Sequence, residues 1–176
     1  VLDRDEDGVR ATVSLVKQSG VNPIAVPMDL AQTAKIAPTV ARVLDQLGRI
    51  DILINNAGVT GRFQTLLEMD EENWDFVLSV NLKAAMLLMK HVARHMIERG
   101  GGGRIVNLSS SSAFRARNSP LAYASSKAAL VQLTRSAAAE LGPDDINVNA
   151  VAPGITATPM TQVIGNAEAL QRVASS

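Results

Sequence analysis

The sequence of 176 residues contains no cysteine. Without cysteine, neither a disulfide framework nor a metal site built on thiolates can form. The absence also fits a reducing compartment, so we expect the protein to reside in the cytoplasm. Hydrophobic residues make up 47% of the chain, which is enough for one substantial core and predicts a single domain over residues 1–176.

The chain also lacks net charge and long apolar runs. Its 17 basic residues balance 17 acidic ones, so there is no electrostatic field to attract nucleic acid, and we expect no nucleic-acid partner. The most apolar segment, "NLKAAMLLMKHVARHM", is interrupted by Lys83, Lys90, His91 and Arg94. Because a spanning helix needs roughly 20 apolar residues, we expect no membrane association.

Helical and strand patterns alternate along the sequence. Amphipathic periodicity predicts helices, and short apolar runs between them predict strands. This alternation predicts an α/β fold with a parallel, doubly wound sheet that is covered by helices on both faces and binds ligands at the carboxyl ends of its strands. Predicted helices are "EDGVRATVSLVKQSG", "AQTAKIAPTVARVLDQLG", "DEENWDFVLSVNLKAAMLLMKHVARHMIERG" and "SPLAYASSKAALVQLTRSAAAELG"; predicted strands are "PIAVPMD", "IDILINNAG", "GRIVNLSS" and "INVNAVAPG".

Three polar or glycine-rich segments adjoin these strands. In "INNAG", Asn55 and Asn56 precede Ala57 and Gly58, whose small size would let a flat ligand approach the backbone, although the pattern also fits a plain turn. The four serines of "NLSSSS" are candidates for loop hydroxyls or helix caps. "GGGGR" precedes its strand instead of following it, which indicates a turn and not a phosphate-binding loop.

The stretch "LAYASSKAAL" places Tyr123 four residues before Lys127. Ser119 and Pro120 form a plausible N-cap and first helical residue, which puts Tyr123 in the first turn and Lys127 on the same face one turn later. A nearby cation favours the ionised form of a phenol and so suits it to acid–base work. The same pattern also fits an ordinary helix with one aromatic residue and one exposed charge.

Five motifs occur in a fixed order along the chain: "NNAG", "VNLKAA", "GRIVNLSS", "YASSK" and "NVNAVAPGITATPM". Together they resemble the short-chain dehydrogenase/reductase family, and the resemblance covers essentially the whole chain. Within the family the pattern looks most like the 3-oxoacyl-[acyl-carrier-protein] reductase type. The resemblance implies a Rossmann-like three-layer α/β/α fold and hydride transfer between a nicotinamide cofactor and a carbon bearing oxygen.

The resemblance also assigns catalytic roles to four residues. Tyr123 matches the residue that exchanges a proton with the substrate oxygen, and Lys127 matches the residue that assists it and hydrogen-bonds the nicotinamide ribose. Ser110, thirteen residues before Tyr123, matches the serine that holds the substrate oxygen, and its neighbour Ser109 is expected to face the other way. Asn81 matches the asparagine at a helix distortion that holds a water in the proton relay to the lysine.

Cofactor contacts follow from the same resemblance. Asp3 stands where many relatives place an acid that holds the ribose hydroxyls and repels a 2′-phosphate, whereas Arg4 beside it would instead bind that phosphate. We therefore expect NAD, with NADP as the alternative. Asp29 also fits a helix cap, and Thr156 stands where valine or isoleucine is usual. The full set implied is Asp3, Asp29, Leu30, Asn56, Ala57, Gly58, Tyr123, Lys127, Pro153, Gly154, Thr156 and Thr158.

The family's opening strand and glycine-rich turn, TGxxxGxG, do not occur in this chain, which begins at Val1. If Asp3 marks the end of the family's second strand, roughly 30 residues are absent, about one strand–helix–strand unit. We expect a partial domain that also lacks the last strand, and a piece of a longer enzyme. Because the absent strand is central, the strand at "PIAVPMD" should have no hydrogen-bonded route to "DILINN", and the sheet should be split.

The sequence leaves several alternatives open for the function and the assembly of the protein. The first substrate expectation is a 3-oxoacyl thioester; a sugar, polyol or steroid-like alcohol is the alternative, and a non-catalytic nucleotide-binding relative or inactive fragment is a third. His91 and His95 are four residues apart on a helix, but no acidic third ligand accompanies them, so we expect no metal. The resemblance further implies a homo-oligomer, a dimer or a tetramer.

Overall fold

A computed structural model gives the fold and describes residues 1–115, 120–156 and 158. Strands and helices alternate as the sequence predicts, and every strand pairing is parallel, which confirms the Rossmann-like α/β class. The elements are β1 (Leu2–Asp3), α1 (Glu6–Lys17), β2 (Val26–Pro27), α2 (Ile36–Leu47), β3 (Ile52–Asn55), α3 (Glu71–Leu78), α4 (Ala84–Arg99), β4 (Gly103–Leu108), α5 (Leu121–Leu141) and β5 (Ile146–Val151).

Local sequence signals explain where the helices begin. The Asp5 carboxylate accepts hydrogen bonds from the first amides of α1, and the Asp70 carboxylate accepts one from the amide of Asn73 in α3, so each satisfies donors that have no partner within the helix. Pro38 is the third residue of α2. Proline is tolerated there because the amides of the first turn have no intrahelical acceptor to lose.

The strands form two separate sheets. β1 pairs with β2, and β3, β4 and β5 form a second sheet in that order. Among the described residues no strand joins β1 to β3, so the expected split of the sheet is confirmed. Side chains hold the two sheets together instead, because Met28 and Leu30, which follow β2, share one hydrophobic core with α2, α4 and the second sheet.

One face of the second sheet carries this core. Ile105, Ile146 and Val148 point into it, and α4 and α5 cover it. The opposite face was also expected to be covered. In the described part of the chain it is not, since Ile52 and Ile54 are 61% and 60% exposed.

α3 and α4 are continuous through a π-helical segment at Ser79–Lys83, so the helical run extends over Glu71–Arg99. By length and composition this run of 29 residues is apolar enough to cross a membrane, which the sequence interpretation did not anticipate. Core helices of soluble proteins pass the same test. Here 44% of the apolar window is buried inside the protein, and the buried residues of α4 are Ala84, Ala85, Leu88, Met89, Val92, Ala93 and Met96.

The glycine-rich segment between α4 and β4 is a turn, as the sequence predicts. Gly100, Gly101 and Gly102 all have positive φ angles, a conformation that side chains with a Cβ rarely adopt. Gly102 is also crowded, because a Cβ at this position would lie 2.5 Å from the backbone oxygen of Asp145. Glycine therefore permits the close approach of this turn to the start of β5.

This crowding leads to a prediction with a matched control. Gly100→Ala imposes an unfavourable backbone conformation, with φ 71° and ψ 175°, in open space and should lower the free energy of unfolding by about 2 kcal/mol. Gly102→Ala adds a backbone clash and should lower the free energy of unfolding by about 2 kcal/mol more than Gly100→Ala does. Urea unfolding of both variants measures the difference. Equal losses would show that the contact with Asp145 does not constrain the turn.

Candidate active site

The candidate site lies at the carboxyl ends of β3, β4 and β5. Asn55, Leu108 and Val151 are the last residues of these strands. The start of α5 approaches this edge, since the short 3₁₀ helix Ser111–Ala113 that follows β4 lies against α5. The sheet, α5 and the π-helical segment Ser79–Lys83 therefore bring together side chains from distant parts of the sequence.

Tyr123 and Lys127 lie on one face of α5, as their spacing predicts. Their arrangement places the Lys127 Nζ atom 5.7 Å from the centroid of the Tyr123 ring. The helix begins at Leu121 with Pro120 as its N-cap residue, so the expectation that Pro120 is the first helical residue is wrong. Its ψ of 129° is extended, not helical. Ser119, the expected N-cap, lies outside the described residues.

Lys127 is the one charged residue among the buried polar residues of the described chain, and it is only 4% exposed. Its Nζ atom donates a hydrogen bond to the backbone oxygen of Leu108 at 2.6 Å. Burial lowers the pKa of the Lys127 ammonium to about 8, because removing a charge from water disfavours the charged form. The ammonium can thus gain or lose a proton near neutral pH.

Ser109 and Ser110 face different ways, as expected for neighbours at a strand end. Buried Ser109 donates its hydroxyl to the backbone oxygen of Lys127 at 2.9 Å. Half-buried Ser110 caps the 3₁₀ helix by accepting a hydrogen bond from the Ser112 amide at 3.1 Å. That bond leaves the hydroxyl hydrogen of Ser110 available to a ligand.

Asn81 lies in the π-helical segment, so the expected helix distortion is present. The side chain is 1% exposed. Its Oδ1 atom accepts from the amide of Val59 at 2.8 Å, and its Nδ2 atom donates to the Val59 oxygen at 2.9 Å and to Ser126 Oγ at 3.0 Å. Asn81 therefore joins the turn after β3 to α5. The sequence interpretation missed Val59 and Ser126; for Ser126, a small polar residue inside an apolar helical stretch was the available signal.

The turn after β3 also approaches Lys127 directly. A Cβ atom at Gly58 would lie 3.3 Å from Lys127 Nζ and 3.3 Å from Asn81 Oδ1. The sequence suggested that this glycine lets a flat ligand approach the backbone. In the structure its missing side chain makes room for the two polar groups of the site itself.

A small cavity brings most of the expected adenosine-side residues together. It has a volume of about 80 Å³ and lies between the ends of β1 and β2 and the turn after β3. Asn56 is the exception, since it is exposed and does not line the cavity. The lining residues are Asp3, Arg4, Met28, Asp29, Leu30, Ala57, Gly58, Val59 and Val80.

The two carboxylates beside this cavity each make one local hydrogen bond. Asp3 Oδ1 accepts from the Asp5 amide at 3.1 Å, and Asp29 Oδ1 accepts from the Ala31 amide at 2.9 Å. Asp29 therefore closes a turn; it does not cap a helix, because the short 3₁₀ helix that follows has Gln32 as its N-cap. The second oxygen of each carboxylate suits a ligand that presents hydroxyl groups.

The expected nicotinamide-side residues follow β5. Pro153, Gly154, Thr156 and Thr158 are exposed. The oxygen of Pro153 accepts a hydrogen bond from the Ser111 amide at 2.9 Å, so this segment starts beside the serine cluster.

One buried acceptor at this edge has no partner in the described part of the chain. Asn55 is 8% exposed, and its Nδ2 atom donates to Asn107 Oδ1 at 2.8 Å, whereas its own Oδ1 atom has no donor. In the cavity beside β1 and β2, the carboxylates of Asp3 and Asp29 and the small residues Ala57 and Gly58 suit a polar, flat ligand. The residues present therefore fit the nucleoside part of a nicotinamide dinucleotide.

His91 and His95 form no metal site with other described residues. No group of three His, Cys, Asp or Glu side chains could hold an ion within the part of the chain that is described. The Nε2 atom of His95 accepts a hydrogen bond from the Ile50 amide at 3.4 Å. This contact joins α4 to the segment before β3.

Comparisons with known proteins agree with this geometry. The family model for short chain dehydrogenase matches residues 1–169. The chain is 43% identical over 160 residues to the short-chain reductase protein NovJ of Streptomyces niveus, covering 91% of this chain and 60% of that protein. It is 35% identical over 153 residues to the 2-dehydro-3-deoxy-D-gluconate 5-dehydrogenase of Dickeya dadantii, covering 87% of this chain and 60% of that protein.

This chain is also similar to a solved structure. The crystal structure of a gluconate 5-dehydrogenase from Burkholderia cenocepacia in complex with NADP and tartrate has a TM-score of 0.86 and 30% identity, covering 96% of this chain and 66% of that one. The chain thus spans about three fifths of the length of the curated relatives it matches.

Burial of Lys127 predicts a pH-dependent stability. Between the folded pKa of about 8 and the ordinary value of 10.5, the unfolded state binds more protons than the folded state, so the free energy of unfolding should rise with pH in this window. Lys127→Met removes the ammonium and with it this pH dependence of the free energy of unfolding. The unfolding free energy of wild type relative to this variant should increase by about 3 kcal/mol between about pH 7 and pH 11.

Chemical denaturation at a series of pH values measures this difference. Lys90→Met removes an exposed lysine on α4 and is the matched control. A difference between wild type and Lys127→Met that stays constant with pH would mean that the ammonium is not desolvated in the folded protein.

Proposed function

The chain belongs to the short-chain dehydrogenase family, and from this membership we propose that its site transfers a hydride between a nicotinamide dinucleotide and a carbon bearing a carbonyl or secondary alcohol oxygen. The pairing of Tyr123 with Lys127 carries the proposal. A half-buried phenol lies beside a buried ammonium, 5.7 Å from Nζ to the ring centroid. This arrangement suits proton exchange with a substrate oxygen.

Each side chain has a defined part in the proposed reaction. In alcohol oxidation Tyr123 accepts the hydroxyl proton as the hydride leaves the carbon, and in carbonyl reduction it donates that proton. Ser110 holds the same oxygen through its available hydroxyl hydrogen. Lys127 stabilises the ionised phenol, and Asn81 holds the turn after β3 against the helix that carries both. The dinucleotide, when bound, supplies or accepts the hydride.

We propose NAD as the dinucleotide. Asp3 lines the cavity at the end of β1, where its carboxylate would accept from the ribose hydroxyls and repel a 2′-phosphate. Arg4 lines the same cavity, and its positive charge would instead attract the 2′-phosphate of NADP. The ratio of the kcat/KM values measured with NAD and with NADP shows which dinucleotide is preferred.

For the substrate we propose a sugar acid or polyol. The motif resemblance placed a 3-oxoacyl thioester first, but the names of two relatives specify a gluconate or a deoxygluconate derivative. The sequence offered a sugar, polyol or steroid-like alcohol as the alternative, and the names of these relatives support the sugar and polyol members of that class. Turnover with a panel of hydroxy acids, polyols and a 3-oxoacyl thioester tests the choice.

A second candidate is a non-catalytic nucleotide-binding chain or an inactive fragment. The 176 residues contain no TGxxxGxG sequence. The amides of such a turn hold the pyrophosphate in the family. Absorbance of the reduced nicotinamide during incubation with the substrate panel separates the two candidates.

We also propose that the chain forms a homo-oligomer in the cytoplasm. A surface groove of about 670 Å³ runs between the α3–α4 helical run and α5. Its lining is mainly apolar, as expected of a subunit contact. The groove is lined by Asp75, Leu78, Ser79, Leu82, Lys83, Met86, Ala129 and Leu133.

The oligomer proposal predicts that Met86→Asp weakens self-association at least about tenfold, because it places a charge in an apolar interface. Leu47→Asp, at an apolar position on α2 that is 48% exposed, is the matched control and should associate as wild type does. Sedimentation velocity over a concentration series measures both. A monomeric wild-type protein would contradict the proposal.

The catalytic proposal predicts that Tyr123→Phe lowers kcat by at least about a thousandfold, since it removes the group that exchanges the proton. Dinucleotide affinity should change little, because the ring remains. Steady-state absorbance assays on the full-length protein and equilibrium binding measure the two quantities. Activity within tenfold of wild type would show that another group exchanges the proton.

A further inference from the structure

Ser126 is a fully buried hydroxyl between the two residues of the proposed proton-exchange pair. Its exposed fraction is 0%. The Oγ atom accepts a hydrogen bond from Asn81 Nδ2 at 3.0 Å and donates one to the backbone oxygen of Tyr123 at 2.7 Å. Ser126 thus binds the first turn of α5 on one side and the π-helical segment on the other.

The hydrogen bonds of Ser126 continue to the turn after β3. Asn81 uses its remaining donor and its acceptor on the two backbone groups of Val59. Tyr123, Ser126, Asn81 and Val59 therefore form one continuous chain of hydrogen bonds, which is fully buried at Ser126 and Asn81. Each polar atom of the two side chains has a partner, so loss of one member leaves another buried group unsatisfied.

The same turn lines the proposed cofactor cavity. Ala57, Gly58 and Val59 border that cavity, and Gly58 lies against Lys127 Nζ. A displacement of the turn relative to α5 would therefore change the position of Lys127 and Tyr123 relative to a bound dinucleotide.

We infer that Ser126 is a positioning residue, which acts through Asn81 to hold the helix turn carrying Tyr123 and Lys127 in register with the turn that contacts the cofactor. The inference rests on the proposed function for its effect on turnover. The coupling of the two turns is independent of that function and can be measured without substrate.

The chain contains a matched control on the same helix. Thr134 is 5% exposed; its Oγ1 atom accepts from Asn107 Nδ2 at 2.9 Å and donates to the Leu130 oxygen at 2.7 Å. The hydrogen-bonding pattern matches that of Ser126, but Thr134 is eleven residues from Tyr123, about 16 Å along the helix. Ser126→Ala and Thr134→Val therefore remove equivalent hydroxyls at different distances from the site.

Hydrogen exchange of the Val59 amide is the first measurement. This amide is held by Asn81 Oδ1, so Ser126→Ala should speed its exchange by about tenfold relative to Thr134→Val. Equal exchange rates in the two variants would overturn the inference, whatever the chain catalyses.

Kinetics of the full-length protein are the second measurement. Ser126→Ala should lower kcat by about tenfold with little change in substrate KM. It should also shift the pH dependence of kcat/KM for alcohol oxidation to higher pH, because a displaced Lys127 loses part of the burial that lowers its pKa. Thr134→Val should leave the pH profile unchanged. Identical profiles in both variants would make Ser126 a structural residue only.

Two further variants keep the outcomes distinct. If Ser126→Ala does not fold, Ser126→Cys replaces it, since the thiol has nearly the same shape and is a weaker donor and acceptor; an unchanged pH profile and exchange rate in this variant would count against the inference. Tyr123→Phe separates the proposed function from the role of Ser126. If it retains activity, the proposed function fails, whereas the exchange of the Val59 amide still decides the role of Ser126.

Discussion

The site is organised around one buried charge. Lys127 is 4% exposed, and an ammonium removed from water must find hydrogen-bond acceptors or lose its proton. The oxygen of Leu108 at the end of β4 supplies an acceptor, and burial supplies the lowered pKa of about 8. Because the strand end and the helix must both be in place to hold this group, the α5–β4 contact determines where Lys127 lies.

Two buried bridges of the same kind attach α5 to the rest of the fold. In one, Thr134 accepts from Asn107, which also accepts from Asn55 in the neighbouring strand. In the other, Ser126 accepts from Asn81. Amide–hydroxyl pairs in a low-dielectric interior have few alternative partners, so they define one orientation of the helix where apolar contacts would tolerate several. The first bridge sets the helix on the sheet, and the second sets it on the π-helical segment.

Local signals made much of this predictable from the sequence. The alternation of elements, the cap at Asp70 and the spacing of Tyr123 and Lys127 depend on neighbours within one or two turns. The acceptor for Lys127 is a backbone oxygen 19 residues away, and Asn81 binds backbone groups 22 residues away and a hydroxyl 45 residues away. No periodicity encodes such contacts. The resemblance identified Asn81 by its position in a motif, but its side-chain contacts became visible only in the fold.

Because the chain has no net charge, a few side chains must discriminate between ligands. With 17 basic and 17 acidic residues, the protein has no overall field that would concentrate a phosphorylated cofactor, so selectivity must arise from groups within a Debye length of the ligand, about 8 Å at physiological ionic strength. Asp3 and Arg4 border the same cavity with opposite charges. Asp3 is held at one oxygen by the Asp5 amide, so its carboxylate is pre-organised at the edge of this cavity.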